Sequence, residues 1–298
     1  MNIFAITVSV LESTAPIFIL ALIGWLWVRL GYEYRVQFVT RLSMTLSVPC
    51  LIFMALVRSG IEPSTLRDTA MAAAAAYCAV ALAAWALIKW LGLSQRVYLA
   101  PLVFGNTGNI GLPLALFAFG TIGLDFAVVI FAVMAVMSFS VGVWIVSGSR
   151  NPTAALKEPM VWATLLGALF LYMGWGVPLF MERTLDTIGQ IAIPVMLITL
   201  GAAIYRLQPA QLGRAFWLSL LKLALCIGVA VGMGYAFDLP AIAFAALVVQ
   251  LATPVAVTSY MLAEKYNASP EDVAGLVVVS TLVSVGAIPI MLAVLLPS

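Results

Sequence analysis

Apolar residues fill this chain in stretches of about twenty, separated by short polar connections. Stretches of that length match a hydrocarbon core of ~30 Å and predict membrane-spanning helices. Ten such spans fit, at about 6–30, 38–58, 69–91, 97–119, 124–147, 160–180, 187–206, 213–236, 240–262 and 273–296. Turn signals mark the connections: Glu62-Pro63-Ser64, Ser149-Arg150-Asn151-Pro152, Gln208-Pro209 and Ser269-Pro270.

One span is interrupted. Gly105-Asn106-Thr107-Gly108-Asn109-Ile110-Gly111-Leu112-Pro113 sets three glycines, two asparagines, a threonine and a proline inside an apolar run. These residues weaken a regular helix through chain entropy, side-chain competition for backbone groups and a missing N–H. At membrane depth such backbone is tolerated only where it is buried in protein or lines a polar cavity. With Pro113 as the first residue of a second half-helix, the free N–H groups of that half-helix point back at the break and suit an anion.

A second break, at Thr253-Pro254 in span 9, extends the pattern into an internal repeat. Pro113 and Pro254 are offset by 254 − 113 = 141, and Pro49 and Pro194, in the similar segments Leu46–Leu51 and Ile191–Met196, by 194 − 49 = 145. Each half then holds five spans, and an odd number forces the second half to enter the membrane the other way up. The expected architecture is all-α and polytopic. Ten transmembrane helices form two inverted five-helix repeats, residues 1–147 and 160–298, joined by a short cytoplasmic connection at 148–159. Inverted repeats with interrupted helices at matching places point to the midplane site of a secondary transporter.

Where the two breaks cross, Asn106, Thr107, Asn109, Gln250 and Thr253 are the candidate binding residues, with Thr258 and Ser259 nearby. Neutral amides and hydroxyls orient a carboxylate without a fixed buried charge, and their oxygens also suit Na⁺, near Asn106, Asn109 and Gln250. Gly108, Gly111, Pro113, Pro254, Pro49 and Pro194 are the structural residues of the crossover. Glycine and proline also serve transmembrane helices as packing surfaces and kinks, and the amides could instead hold the broken backbone together. Replacing Pro113 by alanine is expected to restore helix across the break.

Composition fits this picture and removes several chemistries. The chain is 64% hydrophobic and 9% charged, with mean hydropathy +1.14. It has no histidine, which excludes His-dependent catalysis and the commonest metal ligand. Cys50, Cys78 and Cys226 lie in apolar runs and read as small core residues. No catalytic residue, cofactor, metal cluster or nucleic-acid surface is expected. Ten of the fourteen Lys and Arg sit beside one set of alternate loops, while Arg58, Arg67 and Arg183 sit on the other side. That asymmetry puts both termini outside the cytoplasm. Two charges fall within spans: Lys222, either a snorkelling side chain or a cation on the substrate path, and Glu12, either interfacial or intramembrane.

The Asn106-Thr107-Gly108-Asn109-Ile110-Gly111-Leu112-Pro113 run, the ten spans and the break at Thr253-Pro254 resemble the auxin efflux carrier family. That family includes plant PIN auxin exporters and bacterial carriers for malonate, malate and similar acids. The chain lacks the long cytoplasmic loop of many plant members, and spans 1–3 lack the acidic and basic side chains that plant exporters use near their site.

The resemblance implies a scaffold of spans 1, 2, 6 and 7, which also forms a homodimer surface, and a mobile transport domain of spans 3–5 and 8–10. It further implies that Pro113 and Pro254 are crossover prolines, that Asn109 and its neighbours bind substrate, and that Pro49 and Pro194 lie on facing scaffold helices. The function expected is alternating-access transport of an organic carboxylate, an auxin-like aromatic acid or a small mono- or dicarboxylate, across the plasma or inner membrane. Export on the membrane potential, H⁺ or Na⁺ coupling, carboxylate import and an anion channel on the same broken-helix pair all remain open.

Overall fold

The computed structural model describes residues 3–59, 61–147, 159–207 and 210–295, and side chains from residue 15 onward except that of Phe139. Glu12 has a described backbone, in the first helix, but its side chain lies outside the described residues. The connection at 148–158 also lies outside them.

The described chain is helical, with no β-strand among the described residues. Its α-helices are α1 (Ile3–Arg29), α2 (Val36–Leu42), α3 (Val48–Arg58), α4 (Pro63–Trp90), α5 (Gln95–Val103), α6 (Leu112–Met137), α7 (Val143–Ser147), α8 (Pro159–Met173), α9 (Leu179–Gln190), α10 (Ala192–Arg206), α11 (Leu212–Ala236), α12 (Ala241–Ala252), α13 (Val257–Lys265) and α14 (Pro270–Leu295). One-turn π-helical segments at Ser43–Ser47, Thr107–Gly111 and Ser138–Gly142 join α2 to α3, lead into α6 and join α6 to α7.

Six continuous helical stretches are long and apolar enough to cross a membrane: Val36–Arg58, Pro63–Trp90, Thr107–Ser147, Leu179–Arg206, Leu212–Ala236 and Pro270–Leu295. Shorter apolar helices cover Ala15–Arg29, Pro159–Met173 and Ala241–Ala252. The longest stretch turns a corner at Gly120, where φ is 69° and ψ −161°. Only glycine adopts that conformation readily, so this single residue divides Thr107–Ser147 into two passes. Apolar Trp27, Trp85, Trp90 and Trp217 are exposed on the outside of the bundle, as lipid contact requires.

Two groups of helices are evident from the packing. In one, α1 lies along α10, and α3 packs on α8 and α9; in the other, α4, α6, α11, α12 and α14 pack on one another. Helix α6 also touches α1, α3 and α8, and so bridges the groups. The α1–α10 seam is close because it is built on glycine. A Cβ at Gly24 would strike the Ile198 carbonyl, and one at Gly201 would strike the Ala21 carbonyl. Gly234 likewise makes room for the Phe244 ring. Gly228 and Gly232, on the same helix, face open space instead. The cysteines divide too: Cys50 and Cys226 are buried, but Cys78 is exposed, because its face of α4 looks outward, where a small apolar residue is equally at home.

Widening the α1–α10 seam has a definite cost. Gly201→Leu, which would force the Ala21 backbone away, is expected to destabilise the protein by about 3 kcal/mol. Thermal unfolding in detergent should show this as a lowered midpoint, with Gly228→Leu nearly neutral as the matched control.

Candidate functional site at the crossing of two broken helices

Helix α5 stops at Val103 although apolar sequence continues, and Phe104 turns into extended backbone at φ −98°, ψ 117°. Helix α12 stops at Ala252, and Thr253 turns out in the same way at φ −57°, ψ 145°. The two extended pieces meet. Gly105 and Val255 form an isolated antiparallel bridge, and the Asn106 N–H donates to the Pro254 carbonyl at 2.7 Å. Beyond the crossing both chains resume helix, at the π-helical turn Thr107–Gly111 leading into α6 and at Val257 of α13. Each resumed helix presents its first N–H groups to the crossing.

The closeness of the approach depends on Gly105. A Cβ there would overlap Thr253 Oγ1 and come within 3.0 Å of the Thr253 carbonyl oxygen. Gly111 has the same role deeper in the site, where a Cβ would collide with the Gln250 amide. A Cβ at Gly108 would lie 3.0 Å from Met196 Cε and 3.2 Å from Phe131.

Pro113 stands in the first turn of the second half-helix, close to its expected place, but the gap itself lies ahead of it. The break lies at 104–106, and Pro113 is the second residue of α6, after the π-helical turn has already restored helix. The position opposite Pro254 is therefore held by Gly105 and Asn106. The physical reason is that a proline in a helix's first turn lacks only an N–H that would have no intrahelical partner, so it marks a helix start without forming the gap. Alanine at 113 is consequently expected to leave the break in place.

The other candidates divide between the two sides of the crossing. Asn106, Gly108, Asn109 and Thr258 line a cavity of about 30 Å³ together with Met44, Met160 and other apolar side chains. Thr107 and Gln250 are completely buried behind it. Thr253 closes the end of α12, its hydroxyl donating to the Gln250 carbonyl at 2.7 Å. Pro194 lines a separate outer cleft, and Pro49 is buried in the first turn of α3, so neither reaches the small cavity.

Lys222 resolves in favour of the interior. It is 3% exposed and donates from Nζ to the Thr253 carbonyl at 2.9 Å, so it does not snorkel.

Several polar atoms here have no partner. Asn106 Nδ2, Thr107 Oγ1 and both side-chain polar atoms of Gln250 are buried without a hydrogen bond, as is the Tyr77 hydroxyl. Each such group costs about 1–3 kcal/mol when left unpaired, so their concentration at one crossing calls for a partner. Tyr77, Met44, Met160 and Ser280, whose Oγ accepts the Val255 N–H at 3.0 Å, had no signal in the sequence because each is an ordinary residue of an apolar helix.

Two wider clefts flank the crossing. One, of about 690 Å³, lies between α3, α9, α10 and α6 and contains Arg58, Asp125, Asp186 and Gln190. Its Arg58 is tied to Glu182 at 2.9 Å and Asp186 at 2.7 Å. The other, of about 490 Å³, lies between α2, α10 and α13 and contains Arg35, Arg206, Tyr260 and Glu264. Arg58 ends and Arg35 precedes the same long apolar stretch, Val36–Arg58, so the clefts lie toward its two ends. Among the described residues there is no acidic or cysteine cluster able to hold a metal ion.

Comparison with known proteins points to membrane transport. Residues 150–292 match a family described as "Membrane transport protein". A Methanothermobacter thermautotrophicus protein called an uncharacterized transporter is 26% identical, over 95% of this chain and 98% of its own length. A Rhizobium meliloti protein provisionally named a malonate transporter is 24% identical, over 92% of each chain.

The contact at Gly105 can be tested directly. Gly105→Ala is expected to destabilise the protein by about 1–3 kcal/mol through the overlap with Thr253 Oγ1. Thr253→Ala in the same chain should restore some of the loss, giving a coupling above about 0.5 kcal/mol in a double-mutant thermal-unfolding cycle. Simple additivity would contradict the close approach.

Proposed function

We propose, from the premise that this chain belongs to the auxin efflux carrier family of membrane transport proteins and is a transporter rather than an enzyme, that it carries organic carboxylate anions by alternating access. The observation that carries this reading is the set of buried, unpartnered polar atoms of Asn106, Thr107 and Gln250 at the crossing, where two half-helices also present N–H groups. A carboxylate supplies acceptors for amide and backbone donors, and the dipole ends favour its charge. Asn106, Thr107, Asn109, Gln250 and Thr253 form the binding region; Gly108, Gly111 and Pro254 shape it.

Ten spans in two inverted five-helix halves, 1–147 and 160–298, account for the crossing. The residues ending α5 and α12, Phe104 and Thr253, are offset by 253 − 104 = 149, close to the 145 of Pro49 and Pro194. In this reading α1–α3 and α8–α10 form the scaffold and the homodimer surface. Helices α4–α7 and α11–α14 form the transport domain, and both termini lie on the non-cytoplasmic side of the plasma or inner membrane.

The 30 Å³ cavity has room for a water or two but not for a three-carbon acid. Loading therefore requires the crossing to move away from Met44 and Met160, and an elevator-like displacement toward either flanking cleft does this. Small mono- and dicarboxylates are the substrate class, the name of the Rhizobium relative pointing to malonate; auxin-like aromatic acids need a larger opening. The membrane potential supplies ~2.3 kcal/mol per charge per 100 mV, and H⁺ coupling adds to it if a proton accompanies the anion.

Malonate added to the purified protein is expected to raise its unfolding midpoint, because a ligand that binds only the folded state stabilises it. Asn109→Ala and Gln250→Ala should each remove most of that rise while leaving the ligand-free midpoint within a few degrees. An unchanged rise in both would take these residues out of the site. In reconstituted vesicles, malonate flux should saturate and be accelerated by malonate on the far side; ion currents beyond one ion per conformational cycle would identify a channel instead.

A further inference from the structure

The last carbonyls of a helix carry about half a negative charge, and at bilayer depth no water disperses it. Helix α12 ends in this way at the crossing. Lys222, from α11, meets that end: its ammonium donates to the Thr253 carbonyl at 2.9 Å, with Cys226 Sγ at 3.9 Å. Among the described residues no carboxylate forms an ion pair with it. The small pocket it occupies is lined instead by neutral oxygen-bearing residues, Ser219, Thr253, Ser280 and Ser284. The three serine hydroxyls donate to helix carbonyls, from Ser219 to Ala215, Ser280 to Val277 and Ser284 to Thr281, which leaves acceptor lone pairs on their oxygens.

A carbonyl and several neutral hydroxyls around one buried positive charge is the kind of oxygen set that holds a bare Na⁺. We infer that the Lys222 ammonium is the resident cation of the crossover. It stands where a coupling Na⁺ would otherwise bind, gives the empty crossing a fixed positive charge, and makes transport independent of Na⁺. The inference rests on the reading of the crossing as an anion site.

The opposite broken helix is not equipped in the same way. The residue 145 positions before Lys222 is 222 − 145 = 77, Tyr77, which packs its ring near Phe104 at the end of α5, with centroids 6.3 Å apart. Its buried hydroxyl brings no charge. One cation therefore serves the crossing. A bound monoanion leaves the loaded crossing neutral, and a malonate dianion leaves it with one net negative charge rather than two, which lowers the cost of carrying the anion through a low-dielectric barrier.

Thermal unfolding of the purified protein, with NaCl against choline chloride at equal ionic strength, tests this without any substrate. Wild type and Lys222→Arg are expected to give the same midpoint in both salts. Lys222→Ala, which vacates the oxygen-lined pocket, is expected to start lower and to gain about 2–4 °C in Na⁺ over choline. A Na⁺-dependent midpoint in wild type, or a folded Lys222→Ala that responds equally to both salts, would overturn the inference. Should Lys222→Ala not fold, the wild-type and Lys222→Arg comparison still decides. Vesicle flux gives the second readout: malonate transport should be equal within twofold in Na⁺ and choline, and should survive in Lys222→Arg. Absence of malonate flux from wild type in both salts would count against the carrier reading for that acid, and the salt dependence of unfolding would still judge Lys222.

Discussion

An interrupted helix inside a membrane must find partners for the backbone groups it frees, and in this protein the two interruptions find them largely in each other. The Asn106 N–H bonds to the Pro254 carbonyl, and Gly105 lets the strands approach because any Cβ would strike Thr253. Neighbouring helices supply the rest. From α14, Ser280 takes the Val255 N–H; from α11, Lys222 takes the Thr253 carbonyl. The packing of α11 and α14 on each other and on α12 is thus the support that a broken backbone needs at that depth.

Satisfaction of the backbone contrasts with the side chains. The two extended pieces bond to each other and to Ser280 and Lys222 through the main chain, while Asn106 Nδ2, Thr107 Oγ1 and the Gln250 amide are left without partners. A protein that only needed to stabilise two kinks would have used apolar residues at these buried positions and avoided several kcal/mol of desolvation. Retaining polar groups there makes sense when a ligand completes them. The surrounding thioethers add to this, since Met44, Met160 and Met196 are unbranched side chains that can repack around occupants of different shape.

Much of this was legible in the sequence, for reasons that differ by element. The apolar stretches predicted the helices because length and hydropathy are decided by the bilayer rather than by tertiary detail. The Gly105–Pro113 run was legible as a break because glycine and asparagine have no other reason to cluster inside an apolar helix. Its centre was misplaced, since proline is the more visible residue and sequence alone does not distinguish a proline that opens a helix from one that interrupts it. Pro113 opens α6, whereas glycine makes the crossing. Lys222 was visible as an intramembrane charge, but its partner was a backbone carbonyl, which sequence cannot name. Tyr77 and Ser280 gave no signal, because hydroxyl-bearing residues are common in apolar helices and only the fold brings these two to the breaks.

The two flanking clefts constrain how an anion can pass. Each contains arginine, one near each end of Val36–Arg58, and each is at least an order of magnitude larger than the cavity at the crossing, by about 490 and 690 Å³ against 30 Å³. A continuous pore would need comparable width along its length, and its hydrated mouth would extend to the selective point. Here the small cavity at the crossing is walled by methionine and aromatic side chains, and the wider clefts lie beyond them. In the carrier proposed above, an anion therefore reaches the amides of Asn106 and Asn109 only when the surface carrying them separates from the surface carrying Met44 and Met160. Helix α6 joins the two helix groups, as does the contact of α1 with α14, and the break lies one π-helical turn ahead of α6. In that carrier, binding is linked to relative movement of the helix groups, because the polar groups proposed to hold the anion become accessible only as the groups separate.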